Sequence, residues 1–242
     1  NTIYLWEPFS ERYEGMYRIT RNLYKNLYGN KIIFEEINHD LELTFQYQWN
    51  SSGVYGFVRK STLINKNPVQ IEITILDGIQ NIMPFGVGSD LQNQSSNLVD
   101  AYKRSELIKD KGLAIYALSA IIVDKAEPSE ALKANIVWSM GLENPKYLLS
   151  SLQVKNFRKK GFVEEEIDVK AEKGAYFLNA EIVLPGNEQK EWMLIADVNQ
   201  DHADIARILH TIKSEKQLEN LVNRSIEAGS KRLTALNAGS DG

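Results

Sequence analysis

Three histidines, His39, His202 and His210, are the first residues to weigh for acid–base or metal chemistry. His202 and His210 stand eight apart on a predicted helix. Two imidazoles share a metal when they stand at i and i+4 on one face. His39 falls in a predicted turn. All three read as surface side chains, and neither a metal nor another cofactor is expected. Carboxylates are the next carriers, as the pair Glu35 and Glu36 and the run Glu164, Glu165 and Glu166. Glycosidases set two carboxyl groups across one bond, whereas neighbours on a strand point to opposite faces. Both sets therefore read as solvated charge, with the triple Glu discouraging strand pairing at a sheet edge. GVGSDL (86–91) has a G-x-G but no third Gly, follows Pro84 and Phe85, and does not lead cleanly from strand to helix, so it reads as turn geometry. No serine sits in G-x-S-x-G. No catalytic residue is expected from these patterns.

Two further sets suit recognition. Residues 76–106, LDGIQNIMPFGVGSDLQNQSSNLVDAYKRSE, spend a long stretch on Gly, Asn, Gln and Ser, and loops of such length are commonly functional or disordered. The second half offers amides, hydroxyls, Asp100, Lys103, Arg104 and Glu106, groups suited to hydrogen-bonding a polyhydroxylated ligand or forming a polar interface. Apolar anchors at Leu91, Leu98, Val99, Ala101 and Tyr102 predict an ordered loop. Aromatic residues crowd the first sixty positions, from Trp6, Phe9, Tyr13 and Tyr17 to Tyr47, Trp49 and Phe57. Exposed rings stack on sugars and core rings pack on each other, so burial separates the two uses, and core is the expectation for most.

Strands must position these groups. Residues 31–49 break at Asn38, His39 and Asp40 into a hairpin, with Leu41, Leu43, Phe45, Tyr47 and Trp49 at period two. Residues 55–65 and 68–77 flank Lys66 and Asn67 as a second hairpin, with Val69, Ile71, Ile73 and Ile75 inward. Further strands are predicted over 112–124, 132–140, 162–170, 174–184 and 191–199, with a short helix within 150–161. Short strands without alternating helices predict an antiparallel sandwich. The period then changes. Asp201 is placed to cap a helix bearing Ile205, Ile208, Leu209 and Ile212. Ser214 with Gln217 makes a capping-box pattern ahead of Leu218, Leu221, Val222, Ile226, Leu233 and Leu236. The apolar stripes of both helices need cover, from the sandwich or from a neighbour outside the chain; the second is the expectation.

A net charge of −4, with Lys and Arg dispersed, lacks the basic stripe of a nucleic-acid binder. No run approaches the length of a membrane span, and neither nucleic acid nor membrane is an expected partner. The absence of cysteine leaves the compartment open. The chain starts without Met and ends in GSDG, and reads as a piece of something longer.

The phrases WEPF, NLYGNKIIFEEINHDLELTF, ILDGIQNIMPFGV, NLVDAYKRSE, IIVDKAEPSEALKANIVWS and GAYFLNAEIVLPGNEQKEWMLIADVNQD resemble the N-terminal region of cellobiose-phosphorylase-like proteins, in the neighbourhood of glycoside hydrolase family 94. The resemblance implies a galactose-mutarotase-like β-supersandwich over 1–200 and a helical linker over 201–242. That linker would lead to an (α/α)6 barrel holding the catalytic residues, none of which corresponds to a position here. It implies a non-catalytic accessory domain of a carbohydrate-active enzyme, an oligosaccharide substrate for the parent protein, and a homodimer. A free-standing carbohydrate-binding module is the alternative. By the same resemblance Asp90, Gln92, Asn93, Lys103 and Arg104 are candidates for an interface or a sugar-proximal edge. Mutarotase chemistry itself needs a His base or acid set in the sandwich cleft, which the isolated His39 does not supply.

Overall fold

The computed structural model describes residues 4–120 and 131–240. The end of the predicted strand 112–124 and the whole of the phrase IIVDKAEPSE lie outside them. The body is a mainly β antiparallel sandwich closed by two C-terminal helices, as expected. Its larger layer takes in β1 (Ile19–Lys25), β2 (Ile32–Asn38), β3 (Leu43–Ser52), β4 (Gly56–Asn65), β6 (Lys103–Ile108), β7 (Leu113–Leu118), β8 (Ala134–Met140), β10 (Asp168–Lys170) and β12 (Gln189–Gln200). The order is β1-β2-β3-β4-β12-β8-β7-β6-β10. The smaller layer is β5 (Ile71–Ile82), β11 (Gly174–Leu184) and β9 (Lys146–Leu148), in the order β5-β11-β9. Strand 162–170 shrinks to the three residues of β10, and β1, β6 and β9 carry no strong alternation in the sequence.

Period-two patterning divides the larger sheet into two apolar faces. Phe45, Leu63, Tyr116, Val137, Trp192 and Leu194 meet Tyr176, Leu178, Ile182 and Leu184 of β11 between the layers. Two tyrosines tie the layers: Tyr116 donates to the Ala175 carbonyl at 2.7 Å, and Tyr176 to that of Gly112 at 2.5 Å. Burial pushes both phenols well above their ordinary pKa.

The predicted hairpin of 55–65 with 68–77 does not form. β4 pairs with β3 and β12, whereas β5 pairs with β11 in the other layer. Asn65 is the physical reason. Fully buried, it donates Nδ2 to the carbonyls of Val69, Leu184 and Pro185 and accepts from the Asn67 amide, so the chain crosses between layers where a tight turn would fold it back. Val69, expected inward, is consequently exposed. The stretch 76–106 is ordered, and much of it is regular. β5 runs to Ile82, helices α1 (Ser89–Gln94) and α2 (Ser96–Tyr102) follow, and β6 begins at Lys103. Gly86 takes positive φ, but Gly88 is extended and stands at the N-cap of α1, so GVGSDL does lead into a helix.

The opposite face of the larger sheet carries Val58, Leu113, Ile136, Trp138, Met193 and Ile195. Helices α4 (His202–Ser214) and α5 (Leu218–Ser240) cover it through Ile208, Val222 and Ile226. This corrects the expectation that their apolar stripes await a neighbour: the sandwich itself is the neighbour, down to Ile226. Beyond it Leu236 is exposed. Asp201 caps α4 as predicted, accepting from Ala203 N and Asp204 N at 2.8 and 3.0 Å. Ser214 does not cap α5. It closes α4, donating its hydroxyl back to the His210 carbonyl. Short helix α3 (Val154–Lys160) falls within 150–161 as predicted.

Candidate functional site

The five sequence candidates divide into a clasp of Gln92 with Lys103, a strand tie at Arg104, and two outward-facing side chains, Asp90 and Asn93. Lys103 and Arg104 are neighbours on β6 and point to opposite faces. Lys103 is buried and donates to Gln92 Oε1 at 3.1 Å and Asp100 Oδ1 at 2.7 Å, which fastens α1 and α2 to the sheet. Arg104 grips Asp168 with two donors at 3.1 and 3.3 Å, holding the edge strand β10 and keeping that carboxyl below the usual carboxylate range. Asp90 and Asn93 are exposed on α1.

The more elaborate polar sets were not expected. Asp77, at the middle of β5, accepts from Arg59 Nη1 at 2.9 Å, Ser61 Oγ at 3.1 Å and Trp192 Nε1 at 2.7 Å. Its other oxygen pairs with Arg59 Nη2 at 2.8 Å, and the guanidinium lies 4.7 Å from the centre of the Tyr47 ring. The set bridges the two layers. Glu36 takes Trp6 Nε1, Phe9 N and Arg21 Nε, each at 2.7 Å. It thereby pins WEPF across the open end of the core, where the Phe9 ring meets Phe34, Phe45 and Tyr47. Glu7 of the same phrase pairs with Arg158 of α3. Glu166 accepts from the amides of Leu149 and Ser150, from Ser150 Oγ and from Gln153 Nε2. The solvated charge expected of both sets holds for exposed Glu164 but not for Glu36 or Glu166, whose donors come from other segments of the chain.

Glu35 faces away from Glu36, as strand alternation predicts, yet it too is nearly buried. Burial alone would raise its carboxyl, but hydrogen bonds from Asn22, Gln46 and Tyr24, with Lys66 nearby, outweigh this and hold it below the usual range. Burial sorts the early aromatics. Trp6, Phe9 and Tyr47 pack on the core, whereas Tyr24 and Phe57 are exposed. Tyr4, Tyr13 and Tyr17 line a shallow cavity of about 390 Å³ with Leu5 and Met16. His39 lies exposed against Thr20 Oγ1 at 2.8 Å, and His202 and His210 are exposed on α4.

The chain is similar to a bacterial glucoamylase solved with acarbose, at 10% identity and a TM-score of 0.49, over 88% of this chain and 28% of that one. It is also similar to a chain described as a kojibiose phosphorylase from the human microbiome, at 10% identity and a TM-score of 0.42, over 87% of this chain and 24% of that one. Both belong to the glycoside hydrolase and phosphorylase neighbourhood. The chain thus spans about a quarter of the length of either. No family model matches it, and no curated protein matches it.

Proposed function

We propose that the chain is a non-catalytic accessory β-sandwich domain of a carbohydrate-active phosphorylase or glycoside hydrolase. In this reading it shapes the active site and the oligomer interface of a larger enzyme, whose catalytic residues sit on an (α/α)6 barrel following α5. One observation carries it. The charged groups gathered inside the fold, Asp77, Glu36, Lys103 and Glu166, each spend their hydrogen-bonding capacity on framework partners, which suits a shaping role better than turnover. The resemblance of the sequence phrases supplies the carbohydrate theme. Asp90 and Asn93 are the members of the candidate set free to face a second subunit or a sugar. A free-standing carbohydrate-binding module is the second reading, favoured by the exposed ring of Tyr24 beside the ordered Glu35.

The test is an assay of residues 1–242 against cello-, laminari- and β-1,2-gluco-oligosaccharides, with and without inorganic phosphate. Released sugar and sugar phosphate stay at the uncatalysed level for this chain and rise for a polypeptide that also contains the barrel. Turnover by residues 1–242 would overturn the reading.

A further inference from the structure

A carboxylate only accepts hydrogen bonds, so an amide beside one must turn its NH2 toward it. On the outer face of the larger sheet Glu35 orders three neighbours in this way. Its Oε1 accepts from Asn22 Nδ2 at 2.8 Å and from the Tyr24 hydroxyl at 3.0 Å, and its Oε2 accepts from Gln46 Nε2. The amide oxygens of Asn22 and Gln46 therefore turn away from the carboxylate, and among the described residues neither side-chain oxygen accepts a hydrogen bond. The hydroxyl of Tyr24 is pinned, yet the residue is 48% exposed, so its ring is fixed and open.

Strand register extends this centre into a row. Asn22 stands opposite Glu35, Glu35 opposite Gln46, Gln46 opposite Thr62, and Thr62 opposite Glu191. Neighbouring strands lie about 4.8 Å apart, so the row runs roughly 19 Å across five strands. From β2 to β12 the backbone groups of the row are spent in ladders on both sides, and only β1 has an open edge, so across the strands the row offers side chains alone. It is rich in acceptors, and Lys60 beside it is already paired with Glu191 at 3.5 Å, which disfavours a phosphate or another anion. A chain of sugar hydroxyls supplies the missing donors.

We propose that this row is a binding platform for a neutral oligosaccharide laid across the strands, with Tyr24 stacking on a ring at one end. Asn22, Gln46 and Thr62 bond successive hydroxyls, and Glu35 acts as the positioning residue that presets both amides and the ring. The proposal deepens the carbohydrate-active reading above.

Calorimetry of residues 1–242 with cellotetraose, laminaritetraose and the β-1,2-linked glucotetraose tests it. At least one gives saturable heat. Tyr24→Ala and Thr62→Val each weaken it about fivefold or more, with circular dichroism and melting temperature unchanged. Tyr4→Ala, at an exposed ring outside the platform, leaves it as it was. No saturable heat with any of the three sugars, or heat that survives both platform variants, overturns the platform. The turnover assay on the same preparation separates the two ideas: silence in both experiments removes the platform alone, whereas turnover removes the accessory reading whatever the calorimeter shows.

Discussion

Glu36 is the acceptor on which the N-terminal segment hangs, because Trp6, Phe9 and Arg21 all converge on it. Glu36→Gln replaces one acceptor oxygen with an NH2 that faces a donor, and urea unfolding should register a loss of about 1.5–3 kcal/mol, the range of hydrogen bonds to charged groups. Glu35 gives a different signature. Its folded-state pKa lies below its unfolded one, so its contribution is complete above the ordinary carboxylate value of about 4.3 and fades as pH falls through the lower folded value. The stability gap between the native chain and Glu35→Gln should be constant from pH 6 to 8 and narrow on acidification toward pH 3. A gap that widens on acidification would contradict the ordering role given to Glu35. Alternation along β2 was enough to put the two carboxylates on opposite faces. Their burial was not legible, since the donors come from residues 6, 9, 21, 22, 24 and 46, and only the folded register brings those together.

At the scale of elements, local chemistry was readable where the partner is close in sequence. Asp201 lies two and three residues from the amides it caps, and the sequence names it correctly. Asp201→Ala should cost about 1 kcal/mol, measured as a shift of the urea midpoint with unchanged slope. Ser214 carries the same type of signal and misleads, because α4 runs as far as Ser214 itself and uses the hydroxyl at its own C-terminal end. Pairing between strands was harder still. β4 and β5 look like a hairpin from their alternation and the short gap, and the decision between a turn and a crossing rests with buried Asn65, whose carbonyl partners include two from residues 184 and 185. The candidate loop shows both sides: its apolar anchors announced order, but the helices α1 and α2 are too short for a period to emerge, and the partners of Lys103 became visible only in three dimensions.

For the whole molecule, the question is whether α4 and α5 are part of the sandwich or merely lead away from it. Their apolar spacing is compatible with either, which is why periodicity could not choose. Packing chooses: Ile208, Val222 and Ile226 close over Val58, Trp138 and Ile195, so the outer face of the larger sheet has a core of its own. Ile226→Ala should then cost about 2–5 kcal/mol, the range for opening a cavity under a buried aliphatic side chain. Leu236→Ala, on the exposed far part of the same helix, should stay within about 0.5 kcal/mol. A chain stopped after Gln200 would bare Trp138, Met193 and Ile195 together, and should bind a hydrophobic dye and self-associate in light scattering. Equal and negligible effects of the two alanine variants, with a monodisperse truncated chain, would make the helices a bare connector, and the sheet would then need some other cover for its outer apolar face.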